Sequence, residues 1–213
     1  YIQNHLSELA ANQSIHDLNI EIFNRVQRTI TGWPGGKPNS DDTYRPERAK
    51  PEKKRVIIFS PHPDDDVISM GGTFQRLVDQ GHDVHVVYQT SGNIAVSNDS
   101  VLKFLEVYSD LFDVNVSHIK DVKKKLLNNN EIIEDKFIRE VATKIREKEA
   151  LAATRYVGLN DEKVHVLRLP FYESGKIVKN NTSKHDSDLM NQIITKIKPH
   201  KIVEAGDLAD PHG

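Results

Sequence analysis

Apolar and polar positions divide the 213-residue chain into three unequal stretches. Over residues 15–30 the apolar residues Ile15, Leu18, Ile22, Phe23 and Val26 recur near helical spacing, which predicts an amphipathic helix. Residues 32–54 lose that periodicity and read W-P-G-G-K-P-N-S-D-D and then P-E-R-A-K-P-E-K-K, with four prolines. Such a composition predicts a linker running over a surface. The expected organisation is a helical segment over 1–31, the linker over 32–54 and a folded domain over 55–213.

From Arg55 the pattern becomes an alternation of strands and helices. R-V-I-I-F at 55–59 is an unbroken apolar run, residues 70–80 suit a helix ending at Gly81, and D-V-H-V-V-Y at 83–88 is a second strand. Strand, helix and strand in this order form a βαβ unit, whose fully buried parallel strands read as continuous apolar runs. Helices are expected over 99–111, 134–155 and 186–198, and strands over 164–169 and 201–204. The stretch K-D-V-K-K-K-L-L-N-N-N at 120–130 is basic and polar and predicts a solvated helix face or a loop. The class is therefore α/β with a mostly parallel sheet.

In such sheets ligands bind beyond the carboxyl ends of the strands. S-P-H-P-D-D-D follows the first strand, T-S-G-N the second, and D-L-A-D-P-H-G the strand at 201–204. The first of these loops carries the most chemistry. One aspartate there can cap the following helix, accepting hydrogen bonds from its free amides. Three in a row repel one another unless a cation or hydrogen-bond donors offset the charge. A divalent metal supplies that offset, with His62 and Asp65 able to converge on one ion across the proline-fixed bend while Asp64 points toward a water. Spacing does not decide which carboxylate takes which task, and Asp66 suits the helix end or a position behind the site.

Composition narrows the partners. The chain has no cysteine, so a metal must be held by His, Asp or Glu, and its ten histidines gain interest. A net charge of -2, from 29 basic and 31 acidic residues, gives no electrostatic case for nucleic acid or a membrane surface. No apolar stretch is long enough to span a bilayer and no signal-peptide core is visible, so a cytoplasmic setting is expected. Both ends look cut, as if the chain were part of a longer one.

P-H-P-D-D-D-V-I-S-M-G-G-T at 61–73 resembles the A-H-P-D-D-E signature of the PIG-L/LmbE family of zinc-dependent de-N-acetylases. The likeness continues through Q-G-H-D-V-H-V-V at 80–87, R-E-K-E-A-L-A-A-T-R-Y-V-G-L at 146–159, E-S-G at 173–175 and D-P-H-G at 210–213. The W-P-G-G-K-P linker ahead of it is similar to the C-terminal part of bacterial two-domain proteins described as glucosamine-6-phosphate deaminase-like. The resemblance implies a Rossmann-like three-layer sandwich, a covalently linked deaminase-like domain on the N-terminal side, and hydrolysis of the acetamide of an N-acetylglucosamine-type substrate. It also implies one Zn2+, or another divalent metal, held by His62 and Asp65, with Asp64 as general base and Arg146 and Glu173 contacting substrate. His212 matches the first histidine of the family's H-x-x-H pair and is expected to assist the reacting carbonyl. The second, a metal ligand, would fall three positions on, at a residue this sequence does not contain. That leaves two protein ligands where a catalytic zinc site ordinarily has three.

Plainer readings stand beside these. His85 alone in a strand pattern is expected to be packed or exposed, Arg146 with Glu149 to form a helical i,i+3 ion pair, and E-S-G and T-S-G-N to be turns. Two further function classes stay open from the residues: a Mg2+-binding phosphoryl-transfer module, and a non-catalytic sugar-binding or scaffold domain. An oligomer is compatible with all of them.

Overall fold

A computed structural model describes residues 14, 16–22, 53–112, 117–128, 135–174 and 178–204. Residues 32–52 of the predicted linker, residues 15 and 23–30 of the predicted N-terminal helix and His212 lie outside the described residues. Within them, residues 16–22 are helical (α1), started by Ser14, whose hydroxyl accepts from the Asp17 amide at 3.1 Å. The remaining elements are β1 (Arg55–Ser60), α2 (Asp65–Ile68), α3 (Gly71–Asp79), β2 (Asp83–Tyr88), α4 (Asn98–Phe112), α5 (Ser117–Asn128), α6 (Lys136–Val157), β3 (Val164–Val166), α7 (Lys184–Ile197) and β4 (Lys201–Glu204).

The four strands form one parallel sheet in the order β3-β2-β1-β4. The chain leaves β1 in one direction, builds β2 and β3, and returns to place β4 on β1's other side. This reversal at β1 is the switch point beside which open α/β sheets bind their ligands. Successive residues of a strand face opposite ways, and the packing follows that rule. Val56, Ile58, Val84, Val86 and Tyr88 meet Phe74 and Leu77 of α3 and Ala150 of α6, whereas Ile57, Phe59 and Val87 meet Ile193 and Ile197 of α7. The result is the expected three-layer α/β sandwich. Each fully buried aliphatic side chain contributes about 1.5–3 kcal/mol relative to exposure.

Helix ends account for much of the register. Asp135 accepts from the amides of Phe137 and Ile138 at the start of α6, and Gly158, at φ 96°, closes its end. Ser183 and Asp186 form a reciprocal capping box at the start of α7, two residues earlier than the apolar pattern suggests. The other carboxylate oxygen of Asp186 accepts from the Phe171 amide at 2.9 Å, tying the loop after β3 to α7.

One expectation is corrected and a second, the solvated helix face, is extended by its buried side. The strand predicted over 164–169 stops at Val166: Leu167 and Leu169 still donate to the carbonyls of Tyr88 and Gln89, but Arg168 between them is left-handed at φ 49°. Its guanidinium binds Glu140 and Glu147 of α6, which holds the backbone in that turn. The polar stretch at 120–130 is mostly helix α5, and only one side of it is solvated. Ile119, Val122 and Leu126, at three- and four-residue spacing, are buried against Val101 and Leu105 of α4 and Ile138, Ala142 and Ile145 of α6. No helix of the described residues is long and apolar enough to cross a membrane.

His85 is packed but not alone. Its Nδ1 lies 3.0 Å from His165 Nε2, the two rings stack at 5.3 Å, and its Nε2 is 3.4 Å from Asp83, which also binds Lys163. Burial pushes both imidazoles below the ordinary range, His165 to about 4, with Lys163 and Lys196 acting in the same direction and Asp83 opposing it at His85. A histidine held neutral in the folded state favours folding above its unfolded pKa of about 6.5, and that contribution is lost as pH falls toward the folded value. Urea unfolding midpoints should therefore drop between about pH 6.5 and 4, and His165→Gln should flatten this part of the profile; an unchanged slope would exclude the pair as its source.

Candidate active site

The site begins where β1 ends. Ser60 is buried, and its hydroxyl donates to the His62 carbonyl at 2.5 Å while accepting from the Asp66 amide at 3.0 Å. One short side chain thus closes the turn that carries His62, Asp64 and Asp65. The Asp64 amide donates to the His62 carbonyl at 2.8 Å, and the Val67 and Ile68 amides take the Asp64 carbonyl to start α2.

The three aspartates go three separate ways. Asp65 turns back over the loop, where its Oδ2 accepts from the His62 amide at 2.8 Å and lies 3.2 Å from His62 Nδ1. Asp64 stands at the N-cap position of α2 but makes no side-chain cap; its carboxylate takes Arg146 Nη2 of α6 at 2.8 Å. Asp66 is wholly buried, at 0% exposure, and accepts from the Tyr88 hydroxyl of β2 at 3.0 Å. Burial raises the Asp66 carboxyl above the usual carboxylate range against the opposing hydrogen bonds, and burial likewise raises the Tyr88 phenol. None of the three carboxylates caps the helix, so the plain cap reading finds no support in the geometry.

Neighbouring loops press on this turn. Thr90 Oγ1 donates to the Pro61 carbonyl at 2.8 Å, and the Gln89 amide continues the ladder to the Ser60 carbonyl at 3.0 Å. Gly92, at φ 61°, packs so close that a Cβ there would come 2.7 Å from Pro63 Cδ and 3.3 Å from Arg146 Nε. T-S-G-N is therefore a turn, as read, but one whose glycine lets the histidine loop and Arg146 come together. Asn93 Nδ2 donates to Thr143 Oγ1 of α6 at 3.4 Å, and Ser91 Oγ and Arg146 Nε are buried without a hydrogen-bond partner among the described residues. On the far side of β1, Gln89 Nε2 donates to Glu204 at the end of β4 at 2.9 Å, so the carboxyl ends of three strands share one edge.

Arg146 also reaches Glu149 at 3.4 Å, so the i,i+3 ion pair exists beside the longer-range bond to Asp64. Glu173 is exposed and stands next to Tyr172, whose ring meets the His62 imidazole edge-on at 6.0 Å. Tyr172 was not anticipated from the sequence; only its place before E-S-G points to it. The geometry thus brings together His62 with Asp65, and Asp64 with Arg146, on one edge, with Glu173 one residue from the Tyr172 wall.

For a metal, the relevant observation is the donor set. An imidazole nitrogen and a carboxylate oxygen lie side by side, suited to a borderline divalent cation. Among the described residues no group of three such side chains converges, so His62 and Asp65 fit only as part of a ligand set, and an ion there would need a further ligand.

The family profile described as GlcNAc-PI de-N-acetylase, PIG-L, matches residues 57–212. A glucosamine-6-phosphate deaminase-like protein of Bacteroides thetaiotaomicron is 51% identical over 223 aligned positions, covering 100% of this chain and 34% of that protein. The chain therefore spans about a third of that relative's length. A diacetylchitobiose deacetylase of Thermococcus kodakarensis is 40% identical over 48 residues, 22% of this chain and 18% of that protein. The extent of the profile match, from β1 through the histidine loop, α6 and β4, shows that the chain belongs to the PIG-L family of de-N-acetylases.

Proposed function

We propose that this chain is the hydrolase domain of a larger protein, removing the N-acetyl group from an amino sugar of the N-acetylglucosamine type with the help of a divalent metal, zinc by preference. The observation that carries this reading is the division of the D-D-D run: His62 and Asp65 are paired at 3.2 Å while Asp64 is turned away onto Arg146. This geometry supports separate tasks for metal donors and proton acceptor.

His62 and Asp65 would hold the ion. When bound, a divalent metal supplies a water acidic enough to act as hydroxide near neutral pH and polarises the acetamide carbonyl. The protein's own part is proton transfer and orientation. Asp64 takes the proton of the attacking water on a carboxylate oxygen, as the water oxygen bonds to the acetamide carbon. Arg146 fixes that carboxylate in place and aims it. The C–N bond then breaks, the proton passes to the departing sugar nitrogen, and acetate and a free amine result. His212 is assigned to the developing oxyanion, a contribution worth about 3–4 kcal/mol for a well-placed donor. Glu173, with Arg146, is assigned to the sugar or its appended group, next to the Tyr172 wall. The identity with a much longer deaminase-like relative supports a covalent neighbour that handles amino-sugar phosphates.

Acetate release from N-acetylglucosamine derivatives by the full-length protein tests the reading. Asp64→Asn should lower turnover by about 10²–10⁴ while bound metal stays stoichiometric, whereas Asp65→Ala should lose the metal as well. Full activity in Asp64→Asn, or unchanged metal content in Asp65→Ala, would reverse these roles. Tyr88→Phe removes one donor from the buried Asp66 carboxylate and should cost about 1–3 kcal/mol of stability by urea unfolding. Metal affinity in that variant should fall too, because the turn loses its support; a stability loss with metal binding intact would show that Asp66 does not position the loop.

A further inference from the structure

Helix α4 is apolar on most of its circumference, and the fold covers only part of it. Val101 and Leu105 are buried against α5 and α6, whereas Phe104, Val107, Tyr108, Leu111 and Phe112 are exposed, Leu111 at 72% and Phe112 at 64%. An apolar groove of about 640 Å3 runs beside them, between Phe104 and Tyr108 of α4 and Phe137, Val141 and Ile145 of α6. Exposed contiguous apolar patches mark interaction sites.

The pattern on α4 selects its occupant. Positions 104, 107, 108 and 111 are spaced three, one and three, a sequence that reads the same in both directions. A second α4 laid antiparallel on the first therefore sets Phe104 opposite the partner's Leu111 and Val107 opposite the partner's Tyr108. Lys103 and Asp110 border this stripe, seven residues apart and so on one edge of the helix. A twofold axis that reverses the helix keeps that edge against its own counterpart. Each Lys103 then falls about 3 Å along the axis from the partner's Asp110, two residues at 1.5 Å each, within reach of an ion pair. Neither residue makes an ion pair among the described residues, although the Lys103 ammonium lies 5.8 Å from the Phe104 ring centroid. The Tyr108 and Phe112 rings lie against each other at 5.0 Å on the same exposed face.

We propose that this face joins two copies of the chain, α4 antiparallel on α4, with Phe104, Val107, Tyr108 and Leu111 at the centre and reciprocal Lys103–Asp110 pairs at the edge. The charge pattern favours a second copy over an unrelated protein, because the edge complements itself.

Sedimentation of the full chain tests this, helped by its lack of cysteine. A dimer is expected. Leu111→Glu, at an exposed position where folding tolerates it, should weaken the dimer at least about a hundredfold by placing an unpaired charge in the contact. Lys103→Glu should weaken it about tenfold, and adding Asp110→Lys to the same chain should restore it. Val107→Cys, beside the twofold axis, should give a disulfide-linked dimer on mild oxidation, and Glu162→Cys, exposed outside the stripe, should not. A chain that stays monomeric, or a dimer indifferent to Leu111→Glu that Val107→Cys fails to cross-link, overturns the proposal.

Discussion

The candidate site depends on one buried hydrogen-bonded turn at the end of the central strand. Ser60 links the Asp66 amide to the His62 carbonyl, and the Asp66 carboxylate takes the Tyr88 hydroxyl from the neighbouring strand. A fully buried carboxyl is costly unless its hydrogen bonds are made, and a network of this kind is stable only when each member finds its partner. With the turn closed on both sides, the five residues from Pro61 to Asp65 have little conformational choice. His62 and Asp65 are left facing each other, and Asp64 is left facing α6. The third aspartate of the run is thus the structural one, wholly buried, while Asp64 and Asp65 keep part of their surface exposed.

The sheet supplies the setting for that turn. Because β1 is the strand at which the chain reverses direction across the sheet, its carboxyl end is flanked by loops from β2 and by the end of β4. Arg146 arrives from α6, a helix fixed by caps at both ends and by Arg168 on its flank. The close approach at Gly92 then decides whether Arg146 and the histidine loop can share the space; a methyl group there would collide with Pro63. The site is accordingly a meeting of four segments, each held by interactions outside it.

How much of this could be read beforehand differs by element. β1 and β2 were legible because parallel strands buried on both faces leave continuous apolar runs. β3 is three residues long and only half-buried, so its end was misplaced at Leu169; the left-handed Arg168 that ends it obeys a contact with α6 that local pattern does not carry. The apolar spacing of Ile119, Val122 and Leu126 was present in the sequence but obscured by the lysines between them. Likewise the H-P-D-D-D run announced its chemistry through residue types, whereas the Tyr88–Asp66 bond and the His85–His165 pair span 22 and 80 residues and emerge only when strands align. Family resemblance assigned roles to Arg146 and Glu173; the bond from Arg146 to Asp64, made by residues 82 apart, is a result of the fold.

In the proposed reaction the D-D-D run is split between metal binding and proton transfer. Anomalous diffraction at the zinc edge from crystals of the metal-loaded full-length protein distinguishes the two tasks. The split predicts one ion about 2.0–2.2 Å from a His62 nitrogen and an Asp65 oxygen, with Asp64 outside the coordination sphere and still bonded to Arg146. An ion ligated by Asp64, or one bound away from His62 and Asp65, would contradict it.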